Sequence, residues 1–393
     1  MTDVFTAIVL LGMGLTTLVL LSVMRTGARV IDAGRSAGAR NPGRWPFVSV
    51  IIPAAGVMPD LPECLASLLA QEYPNYEVIL VTRDQDDPAA SIIRKAIQDA
   101  PRARQVVSGR TTSCGQKNHN LLAGVRASRP EAEVLVFGDS TRLAPADWLQ
   151  WLVEPIVSQG RTVVTGYHHV HPLDASLGTV GRAVTTLVLF LVQTVRRFVQ
   201  PWGGSTAITR KAFDELQVAE LWAENVVDDV SLAARLKKNN IPITLVTRVC
   251  LATSLPHDSL TGWRDWLMRQ FLYLKYCFPL SWLLMGLWAH LMLATVILTL
   301  VFFVAAALGL LSLWLAVSAG CFWLAFLLII LIGRRFHPSP GPWFSWAAAF
   351  ILLSPMASWC FLRSIVTDEI RWHGLSYRVT WTGRVRVVHE ITD

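Results

Sequence analysis

The chain has 393 residues, 53% of them hydrophobic and only 16% charged, with 16 tryptophans and a formal net charge of +7. A mean hydropathy of +0.43 excludes a wholly water-soluble enzyme, and the length admits one sizeable catalytic domain plus membrane segments. The arginines at 25, 29, 35, 40 and 44 abut an apolar run and have no aromatic residues alternating with them, so no nucleic-acid partner is expected. Val4 to Met24 carries no charge and reaches roughly 30 Å as a helix, one hydrocarbon thickness. It predicts a transmembrane helix within residues 1–25; no basic residue precedes it and no clear cleavage site follows, which argues against a signal peptide. Arg25, Arg29, Arg35, Arg40 and Arg44 come next, and the positive-inside rule then puts the following domain in the cytosol.

Residues 46–280 read as an α/β domain. Val48 to Pro53 is a β-branched run stopped by proline, a buried strand. Leu61 to Gln71 follows with Leu61, Leu65, Leu68 and Leu69 on one helical face. Further strands are expected at Tyr76–Val81, Gln105–Val107 and Val134–Phe137, and further helices at Ala89–Ala100 and Asn118–Ala127. Such alternation predicts a mostly parallel sheet covered by helices on both faces. Ligands of such sheets bind beyond the carboxyl ends of the strands, and the residues there are acidic: Asp84, Asp86 and Asp87 after the second strand, Asp139 after the fourth. Two carboxylate loops on one crevice suit a divalent metal with a diphosphate. Lys117, at a helix start, can supply positive charge to a phosphate. No G-x-x-x-x-G-K-[ST] loop or G-x-G-x-x-G fingerprint follows the first strand, which excludes the ordinary P-loop and dinucleotide sites.

The adjacent carboxylates Asp228 and Asp229 open an amphipathic pattern in which Leu232 and Leu236 share a face. A helix N-terminus would stabilise them in a cleft, where one can take a proton from an alcohol; the plain alternative is an acidic helix start. Gly181 to Val199 is apolar and ends in Arg196 and Arg197, as an interfacial helix or a buried core helix would. Trp263, Trp266, Phe271, Tyr273, Tyr276 and Phe278 alternate with Arg264, Arg269 and Lys275, as in an interfacial helix leading into the bilayer. His168, His169 and His171 read as a polar strand face or a metal site lacking further ligands. His257 and Asp258 can pair.

Residues 281–364 hold the C-terminal hydrophobic segments. Ser281 to Ile332 is too long for one span, and Gly309 divides it into two helices. A basic loop, Gly333 to Pro338, leads to a third segment, Phe344 to Leu362. Three full crossings would leave the tail, 365–393, outside, whereas Arg363, Arg371, Arg378, Arg384 and Arg386 favour the inside. Either the tail is outside, or one segment is re-entrant or lies along the interface, the option the charges favour. The six cysteines form no C-x-x-C pair, consistent with a reducing compartment.

Asp84 to Ala89, Gln116 to Leu121, Asp139-Ser140, Gly203 to Ala207, Asp228-Asp229 and Val379 to Arg384 together resemble, in the same order, the motifs of membrane-bound family 2 (GT-A) glycosyltransferases of the ceramide glucosyltransferase-like branch. The resemblance implies a GT-A, Rossmann-like catalytic domain inserted between transmembrane helices. It implies an inverting transfer of sugar from a nucleotide-diphosphate donor, a UDP-sugar by preference, to a membrane lipid alcohol such as ceramide, diacylglycerol or a hopanoid-type lipid. In that scheme Asp229 is the general base, and Asp87, Lys117, Asp139, Arg269 and Gln270 bind the donor. Gly203, Gly204, Ser205 and Asp228 face the acceptor, and Asp139 helps hold Mg²⁺ or Mn²⁺. The branch carries [Q/R]-x-x-R-W after its third aspartate motif; here Trp266 to Gln270 keeps Arg269, while Gln270 replaces the tryptophan and Trp266 the leading polar residue. That departure bears on the acceptor. Competing readings are a polysaccharide synthase of the same superfamily and a non-catalytic membrane scaffold.

Overall fold

The structure, a computed structural model, describes residues 2–36, 43–57 and 60–391. Arg40, Met1 and Asp393 lie outside the described residues. The chain divides into two interleaved units: residues 1–30, 170–195 and 254–367 form one, and residues 31–169, 196–253 and 368–393 the other.

The second unit is built on a seven-stranded sheet ordered β3-β2-β1-β4-β6-β5-β7. Its strands are β1 (Val48–Pro53), β2 (Tyr76–Thr82), β3 (Ala103–Val107), β4 (Val134–Gly138), β5 (Val163–Pro172), β6 (Ser205–Thr209) and β7 (Ile243–Leu255). β1 pairs in parallel with both β2 and β4, and β3 in parallel with β2. β6 runs antiparallel between β4 and β5. The four strands expected from the sequence are all present. The helices of this unit are α2 (Leu61–Leu69), α3 (Pro88–Ala96), α4 (Gln116–Ala127), α5 (Trp148–Gln159), α7 (Arg210–Glu215), α8 (Val218–Trp222) and α9 (Asp229–Lys238).

Strand side chains alternate between two cores, as the pleat requires. Val50, Ile52, Val78, Leu80, Val134 and Val136 meet Leu61, Leu65, Leu68 and Ile93 of α2 and α3, and Trp148 and Leu152 of α5. Ile51, Ile79, Val81, Leu135 and Phe137 meet Leu121 of α4, Phe213 of α7, Trp222 of α8, and Leu232 and Leu236 of α9. Burial on both faces explains why these strands read as continuous apolar runs. The order reverses between β1 and β4, so a crevice opens beyond their carboxyl ends. β6 pairs Ser205 with Gly138, which brings the Gly203-Gly204 segment to that same edge.

The tail joins this unit as an antiparallel sheet of β8 (Glu369–Trp372), β9 (Leu375–Val379) and β10 (Val385–Glu390). The Tyr377 hydroxyl accepts from the Gln116 amide at 3.1 Å. Arg384 pairs with Glu224 at 3.0 Å, the Val385 amide donates to the Glu224 carbonyl at 2.8 Å, and Arg110 pairs with Glu390 at 2.8 Å. The tail is therefore part of the domain that carries the acidic loops.

The other unit holds α6 (Leu177–Gln193), α10 (Leu260–Cys277), α11 (Pro279–Ala307), α12 (Leu313–Gly333), α13 (Trp343–Val366) and most of α1 (Thr2–Ser36). α1 continues well past Arg25, through Gly27 and Gly34, because isolated glycines are tolerated inside a helix and no proline intervenes. Among the described residues four stretches, Leu11–Ser36, Pro279–Ala307, Leu313–Phe336 and Trp343–Val366, are long and apolar enough to cross a membrane. A left-handed Gly309 turns α11 into α12, at the position the sequence marked. α6 is buried on most of its length: the Trp263 indole of α10 crowds Gly181 and donates to Thr185 at 3.0 Å. His257 meets Asp174 rather than Asp258, whose carboxylate pairs with Arg182 at 3.1 Å.

Candidate active site

The crevice edge gathers charged side chains from three segments and a backbone amide from a fourth. Gly115 starts α4 without a side-chain cap, and the first turn carries Lys117. Its ammonium lies 3.0 Å from Asp139 Oδ1, just past β4, and 3.1 Å from Asp228 Oδ2, just before α9. Asp229 begins α9 beside them. Its Oδ2 accepts from the Gly203 amide at 3.1 Å and its Oδ1 from its neighbour Val230 at 2.7 Å.

The two glycines are required by proximity. A Cβ on Gly203 would stand 2.3 Å from Asp228 Oδ2 and 2.7 Å from the Lys117 ammonium. One on Gly204 would stand 2.2 Å from the Trp202 ring and 2.7 Å from Asp139 Oδ2. Ser205, expected on the acceptor side, is fully buried, and its hydroxyl accepts from the Trp148 indole at 2.8 Å. It belongs to the wall of the site, because the strand it opens turns it inward.

The charges tune one another. Burial opposes the Lys117 charge, but Asp139, Asp228 and Asp229 outweigh it and raise its pKa. Burial likewise opposes the Asp139 anion, yet Lys117 and Arg142 hold its pKa below the ordinary carboxylate range. Asp229 goes the other way. Burial first, then repulsion from Asp228, push it up to about 7, against the pull of Lys117 and the two amides. Within one cluster, Asp139 stays ionised while Asp229 is poised to exchange a proton near neutrality, the separation that acid–base chemistry uses.

Asp87 is held elsewhere on the same edge. Its Oδ1 accepts from the Gly56 amide at 2.8 Å and the Ala89 amide at 2.9 Å, capping α3 and tying it to the loop after β1. Arg269 and Gln270 stand on α10, in the other unit, where the Gln270 amide reaches back to the Trp266 carbonyl at 3.4 Å. The cluster thus unites Lys117, Asp139, Asp228, Asp229, Gly203 and Gly204.

Sequence reasoning missed Arg142 and Trp202. Arg142 lies 4.0 Å from Asp139 Oδ2 and its guanidinium stands 5.8 Å from the centre of the Trp202 ring. The His168 ring stacks on Trp202 at 4.5 Å, with 5° between planes, and its Nδ1 meets the Thr253 hydroxyl at 3.1 Å. The i+3 spacing of Arg142 from Asp139 was the available signal. His169 approaches the Cys250 sulfur at 3.6 Å.

Among the described residues no group of three or more His, Cys, Asp and Glu side chains is arranged to hold a metal. Hard divalent ions in diphosphate sites commonly take one or two carboxylates and complete their shell with phosphate oxygens and water. Asp139 fits that donor set: Lys117 engages Oδ1, while Oδ2 has only the looser Arg142 contact.

The model of glycosyl transferase family 21 matches residues 4–385. The chain belongs to glycosyl transferase family 21. Ceramide glucosyltransferase 1 of Caenorhabditis elegans is 22% identical over 215 residues, 53% of this chain and 46% of that protein, so the match spans about half the relative's length. The mannosyltransferase PcManGT from Pyrobaculum calidifontis, solved with GDP-Man and Mn²⁺, superposes with a TM-score of 0.50 at 16% identity. That superposition covers 92% of this chain and 98% of that one. The family 21 chain shares its fold, a GT-A type sheet with apolar helices. The order of acidic motifs along a family 21 chain is thereby given a spatial meaning: the second and third meet around Lys117, and the first caps a helix at the same sheet edge.

Proposed function

We propose that this family 21 protein is an inverting glycosyltransferase that moves a sugar from a nucleotide-diphosphate donor, preferably a UDP-sugar, to the hydroxyl of a membrane lipid such as ceramide, diacylglycerol or a hopanoid-type lipid. The observation that carries the reading is the placement of Asp229 at the start of α9, bonded to the Gly203 amide at 3.1 Å next to the Lys117–Asp139–Asp228 cluster, where burial and Asp228 push its carboxyl up to about 7. A base whose pKa sits near working pH is matched to deprotonating an alcohol as it attacks the anomeric carbon. One displacement needs one such base and no covalent sugar–enzyme intermediate, so the anomeric centre inverts.

The other residues divide the remaining tasks. Asp87, at the β2 edge, would hold the nucleoside. Lys117 would meet the charge that develops on the leaving diphosphate, as preorganised cations do. Asp139 would hold Mg²⁺ or Mn²⁺, and a bound divalent ion would neutralise leaving-group charge; PcManGT was solved with Mn²⁺ and a nucleotide sugar. Asp228 keeps Lys117 in place and raises Asp229. Arg269 and Gln270 would bind the donor from α10. The catalytic domain would face the cytosol, the side that the positive-inside rule favours for the arginines after the first apolar run.

The test is transfer from a panel of radiolabelled nucleotide sugars in mixed lipid, with Mg²⁺ and then Mn²⁺. Label in the lipid extract, lowered about 10²–10⁴-fold by Asp229→Asn with donor binding retained, is the expected result. Near-normal turnover in that variant overturns the role of Asp229, and label in insoluble polymer moves the reading to a polysaccharide synthase.

A further inference from the structure

The tail sheet imposes a parity on the membrane helices. The chain leaves the catalytic unit at Thr253 and rejoins it at Asp368. A water-soluble body lies on one side of a bilayer, so the excursion between must cross an even number of times. It contains three helices long enough to cross, α11, α12 and α13. At least one of them does not.

Contacts within the membrane unit identify it. α11 and α12 form an antiparallel hairpin: the Trp323 indole donates to Thr299 at 2.7 Å, and Phe302 and Ala319 share a buried cluster. The start of α11 and the end of α12 are therefore the same end of that hairpin. α13 begins there, with Trp346 against His337 at 5.5 Å, just past α12. It also finishes there. Phe361 packs on Gly286 and lies 4.8 Å from Trp282, and the Trp282 indole donates to Ser364 at 2.8 Å, all in the first turns of α11. The carbonyls of Ser364, in the last turn of α13, and of Thr367, just past it, accept from the buried Lys275 ammonium of α10 at 2.6 and 3.0 Å.

α6 gives an independent marker of depth. It is the sole helix of 10 residues or more in an excursion, residues 170–195, whose two ends also belong to the catalytic unit, so it cannot cross. α13 packs against it, with the Ser345 hydroxyl bonded to the Ala175 carbonyl at 3.1 Å. The buried face of α13 carries Ser345, Ala349, Ser358, Cys360 and Ser364, while Phe344, Ile351, Trp359, Leu362 and Val366 stay exposed. An apolar stripe with tryptophan and an exposed Arg363 suits the boundary between headgroups and acyl chains.

We propose that α13 lies in the bilayer interface on the catalytic side, its exposed stripe covered by lipid, and that α11 and α12 are the crossings of this region. The proposal does not depend on the sugar-transfer reading, since it is tested by accessibility and not by activity. In a cysteine-free full-length chain, single cysteines replace Leu310 in the α11–α12 turn, Ser339 between α12 and α13, Thr382 in the tail and Ser91 in the catalytic domain. A membrane-impermeant maleimide is applied to sealed vesicles of known orientation. Ser339→Cys, Thr382→Cys and Ser91→Cys are expected to label together from one side, and Leu310→Cys from the other. Labelling of Ser339→Cys and Thr382→Cys from opposite sides means that α13 crosses and overturns the proposal; labelling of Leu310→Cys with the rest also overturns it. Should the cysteine-free chain misfold, trypsin cleavage of the native chain at Arg335 and Arg378 in the same vesicles answers the same question. Both sites open from one side, or the proposal fails.

Discussion

At the scale of the residue, the site is an arrangement of charges whose effect depends on who neighbours whom. Asp228 and Asp229 are adjacent in sequence and opposite in behaviour: Asp228 pairs with Lys117, while Asp229 is bonded only by amides and is raised to about 7. A base must be ionised to act, so activity is expected to rise with pH through one ionisation near 7 and to level off above it. Asp228→Asn removes the repulsion that raises Asp229, so the rising limb should move to lower pH. A pH–kcat/KM series on both proteins checks this, and an unmoved limb would mean that another group sets it. The fold responds with the opposite sign. A carboxyl raised in the folded state holds its proton longer than in the unfolded chain, so its contribution to stability is lost as pH rises from the ordinary carboxylate range through about 7. The doublet itself was legible, because a carboxylate pair before a Leu232–Leu236 stripe marks a helix start. The division of partners was not, because Lys117, which pairs with Asp228, and Gly203, whose amide bonds Asp229, come from distant parts of the chain, and the burial that raises Asp229 is tertiary.

At the scale of the element, the period of the apolar residues announced the long helices and the first four strands, while the strands from Val163 onward went unannounced. α1 runs to Ser36 because neither charge nor the isolated Gly27 and Gly34 stop a helix when no proline intervenes. α6 admitted two readings, and packing against α10 and α13 made it largely buried. The end of α13 is held by Lys275, an ammonium with little exposure that donates to the Ser364, Ile365 and Thr367 carbonyls, the last of which also accepts from the Tyr276 hydroxyl at 3.2 Å. Lys275→Met should lower the stability of the detergent-solubilised protein by about 1.5–3 kcal/mol, the typical worth of hydrogen bonds to a charged group. Lys275→Arg should recover part of it. A thermal midpoint measured for each variant decides the matter.

At the scale of the whole molecule, two interleaved units share one chain, and the last strands return to the unit that the first strand began. Glu224 and Asn225 receive the tail through Arg384 and Val385, and Asn225 in turn accepts from the Gly115 amide at 2.9 Å and the Asn118 side chain at 2.8 Å. These bonds set the start of α4 against the loop that leads to Asp228. Ending the chain after Thr367 should therefore leave membrane insertion intact while transfer falls at least about tenfold, a loss of about 1.4 kcal/mol in transition-state stabilisation. Flotation of membranes and an activity assay on the same preparation separate the two effects. By itself the sequence determined the apolar segments, the parallel sheet and the order of the acidic motifs, because each is written in local periodicity and in residues that follow a strand directly. Only the tertiary structure decided that Lys117 stands between Asp139 and Asp228, that Trp202 comes up beside them, that Ser205 turns inward, and that the arginine-rich tail belongs to the unit that carries the acidic loops. Those are contacts between residues tens to hundreds of positions apart, and no local pattern encodes which of many polar side chains will meet.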